Sequence, residues 1–158
     1  MRTLIVYATK YGCAKKCAEI LAGKLDGETV LHDLRSQPAP DPAPYERVVI
    51  GGSIYIGKIQ KEVTRYCKDH LADLAKKRIG LFICGMAEGE NAVKEMKDAF
   101  PPELAEMAAA RENFGGEFIF GQMSFLHRMI VRKIAKADKD VSKIAVGRIE
   151  QFAKALQA

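Results

Sequence analysis

The sequence has no tryptophan and no long hydrophobic run. Its longest apolar runs, such as residues 47–52 and 79–83, fall far short of the roughly 20 apolar residues that a membrane-spanning helix needs. This shortage excludes a transmembrane helix. The N-terminus leads directly into a strand pattern without a small-residue cleavage site, so we expect no signal peptide and a cytoplasmic chain.

Cysteine and histidine are too scattered along the chain to form a metal-binding motif. No two cysteines have CxxC spacing, and the three histidines lie far apart, so we expect no metal site and reduced thiols. Cys13 and Cys17 are one helical turn apart at a predicted helix start. A redox-active pair there competes with a simpler role in loop and helix packing. Cys84 ends a predicted buried strand and is expected in the core.

The composition is that of a folded chain with an uneven charge. The 158 residues are 48% hydrophobic with a net charge of +5, which indicates one domain spanning residues 1–158 rather than a disordered chain. Residues 88–117 contain eight acidic and three basic side chains, whereas residues 118–158 contain eight basic and three acidic. The basic C-terminal region predicts either an anionic partner or surface, or solvated helix faces. We expect no nucleic-acid partner.

Short apolar runs alternate with stretches of helical spacing along most of the chain. The runs predict strands at residues 4–7, 29–34, 48–53, 78–84 and 118–120. Helical periodicity and a proline start signal predict helices at residues 14–25, 61–74, 91–100, 102–111, 125–137 and 141–156. Strands separated by helices pair in parallel through right-handed crossovers. We therefore predict a doubly wound α/β fold: a five-stranded parallel sheet of order 2-1-3-4-5 with helices on both faces.

The loop after the first strand has the features of a phosphate site. Ligands of a doubly wound sheet bind beyond the carboxyl ends of the strands, between the first and the third. Residues 9–14 lie there and start a helix, whose N–H groups and dipole favour a phosphate; Thr9 adds a hydroxyl and Gly12 allows close approach. The sequence lacks both GxxxxGK[ST] and GxGxxG at this point. A lone phosphate monoester is therefore favoured over a nucleoside triphosphate or NAD.

The same segment resembles the flavodoxin signature. Residues 5–14, with Ala18 and Leu21 behind them, match its apolar pair, aromatic, hydroxyl, small and aliphatic positions. Ala14 departs from it, because the family usually has threonine there; the lost hydroxyl costs roughly 1 kcal/mol of phosphate binding. The resemblance implies a flavodoxin-like fold and an FMN phosphate held by Thr9, Lys10, Tyr11, Gly12, Cys13 and Ala14.

Two later loops resemble the flavodoxin segments that flank the isoalloxazine ring of FMN. The first follows the third strand, and its Tyr55 either stacks on the flavin or is a solvent-facing loop aromatic. The second follows the fourth strand, where glycine allows close backbone contact with the ring edge. Such contacts tune the cofactor, while the redox chemistry belongs to the flavin. The residues so implied are Ser53, Ile54, Tyr55, Ile56 and Gly57 in the first loop and Gly85, Met86 and Ala87 in the second.

A narrower resemblance is to the flavodoxin-like, menaquinone-dependent protoporphyrinogen oxidases. It is carried by residues 47–54, by residues 126–134, and by Gly57, His70, Leu74, Phe152 and Ala153. It implies an oxidoreductase of heme biosynthesis with a quinone acceptor. The chain keeps that family's basic-apolar helix after the fifth strand. It lacks the aromatic-rich lead-in, the glycine-rich exit and the Thr-Asp-Trp segment that precede the last helix there.

Three functional hypotheses follow from these patterns. The first is an FMN oxidoreductase that acts on a porphyrinogen-like substrate with a quinone acceptor, which the retained basic segment favours. The second is an FMN electron carrier between soluble redox partners, against which the pI of about 9.0 weighs because flavodoxins tend to be acidic. The third is a flavodoxin-like binding module that has lost FMN, which Ala14 favours.

Residues 125–143 are predicted to include a basic amphipathic helix. We expect it either to lie on an anionic surface, as a peripheral contact with the inner membrane face, or to cover the sheet with its charges solvated. The apolar face contains Leu126, Met129, Ile130, Ile134 and Ala137, and the basic positions are Arg128, Arg132, Lys133, Lys136, Lys139 and Lys143.

Overall fold

A five-stranded parallel sheet forms the centre of the molecule. The computed structural model describes residues 1–118, 128–129, 132 and 141–158. Within them the strand order is β2-β1-β3-β4-β5, and every neighbouring pair is parallel. The order predicted from the sequence is therefore confirmed. The strands are β1 (Arg2–Ala8), β2 (Glu28–Asp33), β3 (Arg47–Ser53), β4 (Arg78–Cys84) and β5 (Ala110–Asn113).

Helices connect β1 to β2, β3 to β4 and β4 to β5, whereas residues 34–46 lead from β2 to β3 without a helix. A small antiparallel pair, β6 (Glu117–Phe118) with β7 (Val141–Ser142), lies outside the main sheet. The predicted helix over residues 61–74 is interrupted at His70, whose φ of −113° and ψ of 15° depart from helical values. The helices are α1 (Cys13–Ala22), α2 (Lys61–Asp69), α3 (Leu71–Leu74), α4 (Gly89–Ala99), α5 (Pro102–Met107) and α6 (Val146–Gln157).

The fifth strand is not where the sequence pattern predicted it. Residues 118–120 were expected to form it, but β5 is Ala110–Asn113, and Phe118 belongs to β6. The predicted helix over 102–111 therefore ends early, at Met107. Within the described residues, β5 pairs with β4 alone and buries only Ala110, so its sequence has no apolar run to reveal it. The last helix starts at Val146 rather than 141, because residues 141 and 142 pair with β6.

The predicted basic helix over residues 125–137 lies mostly outside the described residues. Three of its members are described, Arg128, Met129 and Arg132, and all three are helical. Met129, assigned to the apolar face, is 50% exposed. In the described parts of the chain, no helix is long and apolar enough to cross a membrane.

The sheet is buried on both faces, and successive strand residues alternate between two cores. In β1, Leu4 and Val6 pack on the side of α2, α3, α4 and α5, whereas Ile5 and Tyr7 pack on the side of α1 and α6. Each aliphatic side chain buried in this way stabilises the fold by about 1.5–3 kcal/mol. Two-sided burial explains why these strands are continuous apolar runs in the sequence.

Two glycines in the strands make room for an aromatic row between the sheet and α6. The ring of Phe82 lies over Gly51, where an added Cβ would come within 2.2 Å of it. A Cβ on Gly80 would come within 2.7 Å of the Phe152 ring. Phe114 joins the row, stacked on Phe82 with ring centroids 4.7 Å apart and at right angles to Phe152 at 5.1 Å. These glycines are therefore required by packing.

Replacing Gly51 by alanine tests this packing. We expect G51A to lower the free energy of unfolding by about 1–3 kcal/mol, because its Cβ overlaps the Phe82 ring. G51A combined with F82L should lose less than the sum of the two single changes. Urea unfolding followed by circular dichroism measures both. G23A is the control, because Gly23 has a φ of −68° and its nearest contact is an ordinary 3.5 Å; equal losses in G51A and G23A would contradict the packing argument.

Candidate functional site

Three loops meet at the carboxyl edge of the sheet, where β1, β3 and β4 end. The Thr9 and Ser53 hydroxyl oxygens lie 3.5 Å apart, which joins the loop after β1 to the end of β3. The Ile54 N–H donates to the Cys84 carbonyl at 2.8 Å, which joins the loop after β3 to the end of β4. The structure thus brings together the three loops that the sequence indicated. They meet beside the boundary between β1 and β3, where the strand order reverses direction.

The first loop is braced internally and leads into an open helix start. The Gly12 N–H donates to the Thr9 hydroxyl oxygen at 2.8 Å, and the Gly12 carbonyl accepts from the Lys16 N–H at 3.0 Å, the first turn of α1. Gly12 has a φ of +95°, and no described atom lies within 4 Å of where a Cβ would be. Among the described residues, no side chain caps α1. The free space and the uncapped N–H groups fit an anion.

Two of the predicted loop residues turn their side chains inward. Cys13 is 7% exposed and Ala14 is fully buried, both in the core beneath α1. They can therefore serve a phosphate only through their backbone N–H groups. Thr9 retains a hydroxyl hydrogen to donate, since it accepts from Gly12.

The second loop is a tight two-residue turn. Tyr55 and Lys58 exchange both backbone hydrogen bonds, at 2.8 and 3.1 Å, while Ile56 and Gly57 both have positive φ, 48° and 76°. This is a type I′ turn, for which Asn-Gly is the usual sequence. A β-branched residue is strained there, and Ile56 is also 59% exposed. Strain of this kind at a ligand edge points to a functional surface.

A lysine from the first loop covers part of this turn. The Lys10 ammonium lies 3.7 Å from the centroid of the Tyr55 ring, within cation–π distance. Both residues line a cavity of about 440 Å³ together with Arg35, Ile56, Lys58, Ile59, Gln60, Lys61 and Glu62. A flavin that stacks on Tyr55 must therefore use its other face or displace Lys10.

The third loop is fixed by residues that sequence reasoning missed. The Asn113 amide oxygen accepts from the Gly85 N–H at 3.3 Å and from the Gly115 N–H at 2.9 Å. A Cβ on Gly116 would come within 3.0 Å of the Met86 sulfur. Asn113 escaped notice because it ends β5, a strand that the sequence pattern did not predict. A larger cavity of about 1120 Å³ borders this loop on the β5 side, away from residues 9–14.

Arg35 and Gln60 support the first two loops and were also missed. The Arg35 guanidinium donates to the Thr9 carbonyl at 3.1 Å and lies 4.0 Å from the Glu62 carboxylate. The Gln60 side-chain oxygen accepts from the Ser53 N–H at 3.0 Å. Neither residue belongs to a sequence motif, so only the folded chain reveals these contacts.

Three cysteines that the linear spacing did not connect lie together behind the first loop. The sulfur atoms of Cys13, Cys17 and Cys84 are all within 4.8 Å of one another. Hydrogen bonds from the Cys17 and Cys84 thiols lower the pKa of Cys13, and the same bonds with burial raise the pKa of the other two. The expectation of no metal site came from spacing along the chain. That expectation stays a prediction, because spacing along the chain does not show that the fold places Cys84, at the end of β4, beside α1.

The fold and its edge loops define a class of protein: a doubly wound α/β protein whose first helix begins, without a side-chain cap in the described residues, at the carboxyl edge of the sheet. The flavodoxin domain profile matches residues 4–144, so the chain belongs to the flavodoxin family. The family's cofactor is FMN, which is therefore the cofactor of this chain.

Solved flavodoxin structures share the fold over almost the whole chain. A short-chain flavodoxin associated with a non-canonical PDU bacterial microcompartment is 18% identical, with a TM-score of 0.66 over 99% of this chain and 97% of that one. Flavodoxin 1 of Bacillus cereus is 15% identical (TM-score 0.62, 99% and 97%), and the Streptococcus pneumoniae TIGR4 flavodoxin is 20% identical (0.60, 99% and 98%). No curated protein matches the chain. The family and these structures give no support to the oxidase branch.

Replacing Ile56 by asparagine tests whether the turn is strained. We expect I56N to raise the free energy of unfolding of the flavin-free protein by about 1 kcal/mol, because asparagine tolerates positive φ better than a β-branched residue. G57A should lower it, since Gly57 has a φ of 76°. Thermal unfolding of both variants provides the measurement. An I56N variant no more stable than the parent would show that the turn carries no strain.

Proposed function

We propose that this chain is an electron carrier that exchanges electrons with redox partner proteins through FMN. The observation that carries the proposal is the convergence of three loops on an open, uncapped helix start at the carboxyl edge. The flavodoxin family match over residues 4–144 supports it. A carrier needs a bound flavin and a docking surface, and this edge offers residues for both.

The chain's own residues hold and orient the cofactor. The phosphate is bound by the loop Thr9, Lys10, Tyr11, Gly12, Cys13 and Ala14, with Thr9 donating its hydroxyl and the start of α1 its N–H groups. The ring is bordered by Ser53, Ile54, Tyr55, Ile56 and Gly57 on one side and by Gly85, Met86 and Ala87 on the other. FMN supplies reversible electron uptake, and these loops set its electrostatic surroundings.

The charges around the second loop indicate the chemistry of the partner. Lys58 and Lys61 are exposed, and Lys10 and Arg35 line the same cavity, against the single lining carboxylate of Glu62. Charge complementarity steers association and sets the register of docking. The partner therefore presents an acidic face to this edge. An acidic flavodoxin would instead be expected to dock on a basic face of its partner.

A quinone oxidoreductase at a membrane surface, acting on a porphyrinogen-like substrate, is the second candidate. The observation that favours it is the half-exposed Met129, which, like Arg128 and Arg132, has helical backbone. Apolar and basic side chains that both reach solvent suit an anionic lipid surface. Its further support is the local sequence resemblance of residues 47–54 and 126–134.

FMN binding through the first loop is tested by G12V. We expect its dissociation constant for FMN to rise about tenfold or more, because valine resists the φ of +95° that the loop needs. Fluorescence titration of the apoprotein measures the constant, and mass analysis should identify the released flavin as FMN rather than FAD. G147V is the control, since a side chain at Gly147 also meets open space but lies on α6. Equal FMN affinity in G12V and G147V would place the phosphate elsewhere.

Docking of an acidic partner is tested by reversing two charges. We expect K58E/K61E to slow electron transfer from a reduced, negatively charged ferredoxin to the FMN-loaded protein about tenfold at low ionic strength, because steering is lost. The difference should vanish as salt rises. The control K68E/K76E makes the same change at two exposed lysines at the opposite edge of the sheet. Stopped-flow spectroscopy gives the rates.

Two results would contradict the carrier. Equal slowing by both double variants would show that the partner does not dock at the second loop. Electron transfer to a quinone in anionic vesicles, with none to any protein acceptor, would favour the second candidate.

A further inference from the structure

Three thiols converge in the core beneath the first loop, from parts of the chain that are far apart in sequence. Cys13 and Cys17 lie one turn apart on the buried face of α1, and Cys84 ends β4. Their exposed fractions are 7%, 0% and 2%. All three sulfur atoms lie within 4.8 Å of one another. Ordinary packing of a buried cysteine needs no second thiol beside it, and here there are two.

The spacing of the sulfur atoms is close to that of a zinc thiolate site. A Zn–S bond is about 2.3 Å, so sulfur atoms that share one zinc ion lie about 3.8–4.0 Å apart. No two of the three sulfur atoms are more than 4.8 Å apart. A movement of a sulfur atom by about 1 Å or less therefore brings each pair to the spacing of zinc ligands. Rotation about the Cα–Cβ bonds of Cys13 and Cys17 can supply movement of this size while β4 stays fixed.

We propose that Cys13, Cys17 and Cys84 bind a thiophilic divalent d¹⁰ metal ion, with Zn²⁺ as its physiological form. Binding breaks three S–H bonds and forms three Zn–S bonds, releasing three protons, and no electron moves. The Zn²⁺ ion and the three thiolates together carry a net charge of −1. Three protein ligands leave a fourth position for a water molecule, as in zinc sites that keep one open coordination position.

The surroundings compensate the single negative charge of such a site. The positive end of the α1 dipole lies at Cys13, the first residue of the helix. The Lys16 ammonium, on the same helix turn, is paired with the Glu117 carboxylate at 2.7 Å, so these two side chains add no net charge beside the site. Cu⁺ in the same trithiolate would leave a charge of −2 in a buried site, which is costlier to bury. Charge therefore favours the divalent ion.

Ligation would join the start of α1 to the end of β4. The first of these follows the loop of residues 9–12, and the second leads directly into residues 85–87. The metal site is nevertheless independent of FMN, because none of the three sulfur atoms is needed for the phosphate or the ring contacts proposed above. Failure of either proposal can therefore be distinguished from failure of the other.

The fourth cysteine provides a matched control within the chain. Cys67 is fully buried on α2, in the core on the opposite face of the sheet. Burial raises its pKa to about 12, and it is not part of the thiol cluster found in the described residues. A change at Cys67 therefore reproduces the loss of a buried thiol without touching the proposed site.

The experiment measures metal bound to the full-length, FMN-loaded chain. The reduced protein is freed of metal with a chelator, incubated with Zn²⁺, passed through a desalting column and analysed by elemental mass spectrometry. We expect one Zn²⁺ per chain in the parent and in C67S, and an affinity at least about 100-fold lower in C13S and C84S. Retention of bound flavin reports that C84S and C67S are folded, and a circular dichroism spectrum like that of the parent reports the same for C13S. No Zn²⁺ in the parent, or equal Zn²⁺ in C84S and the parent, would overturn the proposal.

A second measurement needs no variant. Cd²⁺ added to the metal-free parent should produce an ultraviolet thiolate-to-metal charge-transfer band that saturates at one equivalent and disappears when a chelator removes the metal. Absence of this band would overturn the site even if a cysteine variant fails to fold. A disulfide between any two of Cys13, Cys17 and Cys84 in the freshly purified protein, located by peptide mass mapping, would do the same.

Discussion

Burial of the parallel sheet on both faces is the constraint from which the rest of the structure follows. Strands such as β1 carry apolar side chains to two cores at once, so helices must cover both faces and each crossover must return to the amino edge. All carboxyl ends then meet at one edge. Thr9, Ser53 and Cys84 are adjacent for this reason, although they are far apart in the sequence.

The same burial requires glycine at two strand positions where aromatic rings pack against the sheet. Gly51 and Gly80 omit side chains so that Phe82 and Phe152 can fill the space between β4 and α6. At the edge itself, the chain departs from its most stable turn sequence, placing Ile56 where asparagine would be less strained. The core is therefore built for stability, whereas the loops hold a surface whose conformations cost free energy.

Charge acts differently at two places near the carboxyl edge, an exposed basic surface and a buried group of thiols. Exposed Lys58 and Lys61 face solvent beside the second loop and suit an acidic macromolecule. Beneath the first loop, by contrast, the thiols are buried, where a negative charge must be balanced locally by the positive end of the α1 dipole. The positive end of α1 thus serves two proposed sites, an anion above it and a metal thiolate below it.

The sequence by itself determined the strand order and the loops at the carboxyl edge, because apolar runs, helical spacing and the segment of residues 5–14 are local signals. It missed β5, since an edge strand that buries only Ala110 has no apolar run, and it therefore missed the Asn113 contact to Gly85. Only the tertiary structure decided that Cys84 meets Cys13 and Cys17, or that Arg35 reaches Thr9. Such contacts join residues that are distant along the chain, and the packing of helices on the sheet, which no local pattern encodes, sets their distances.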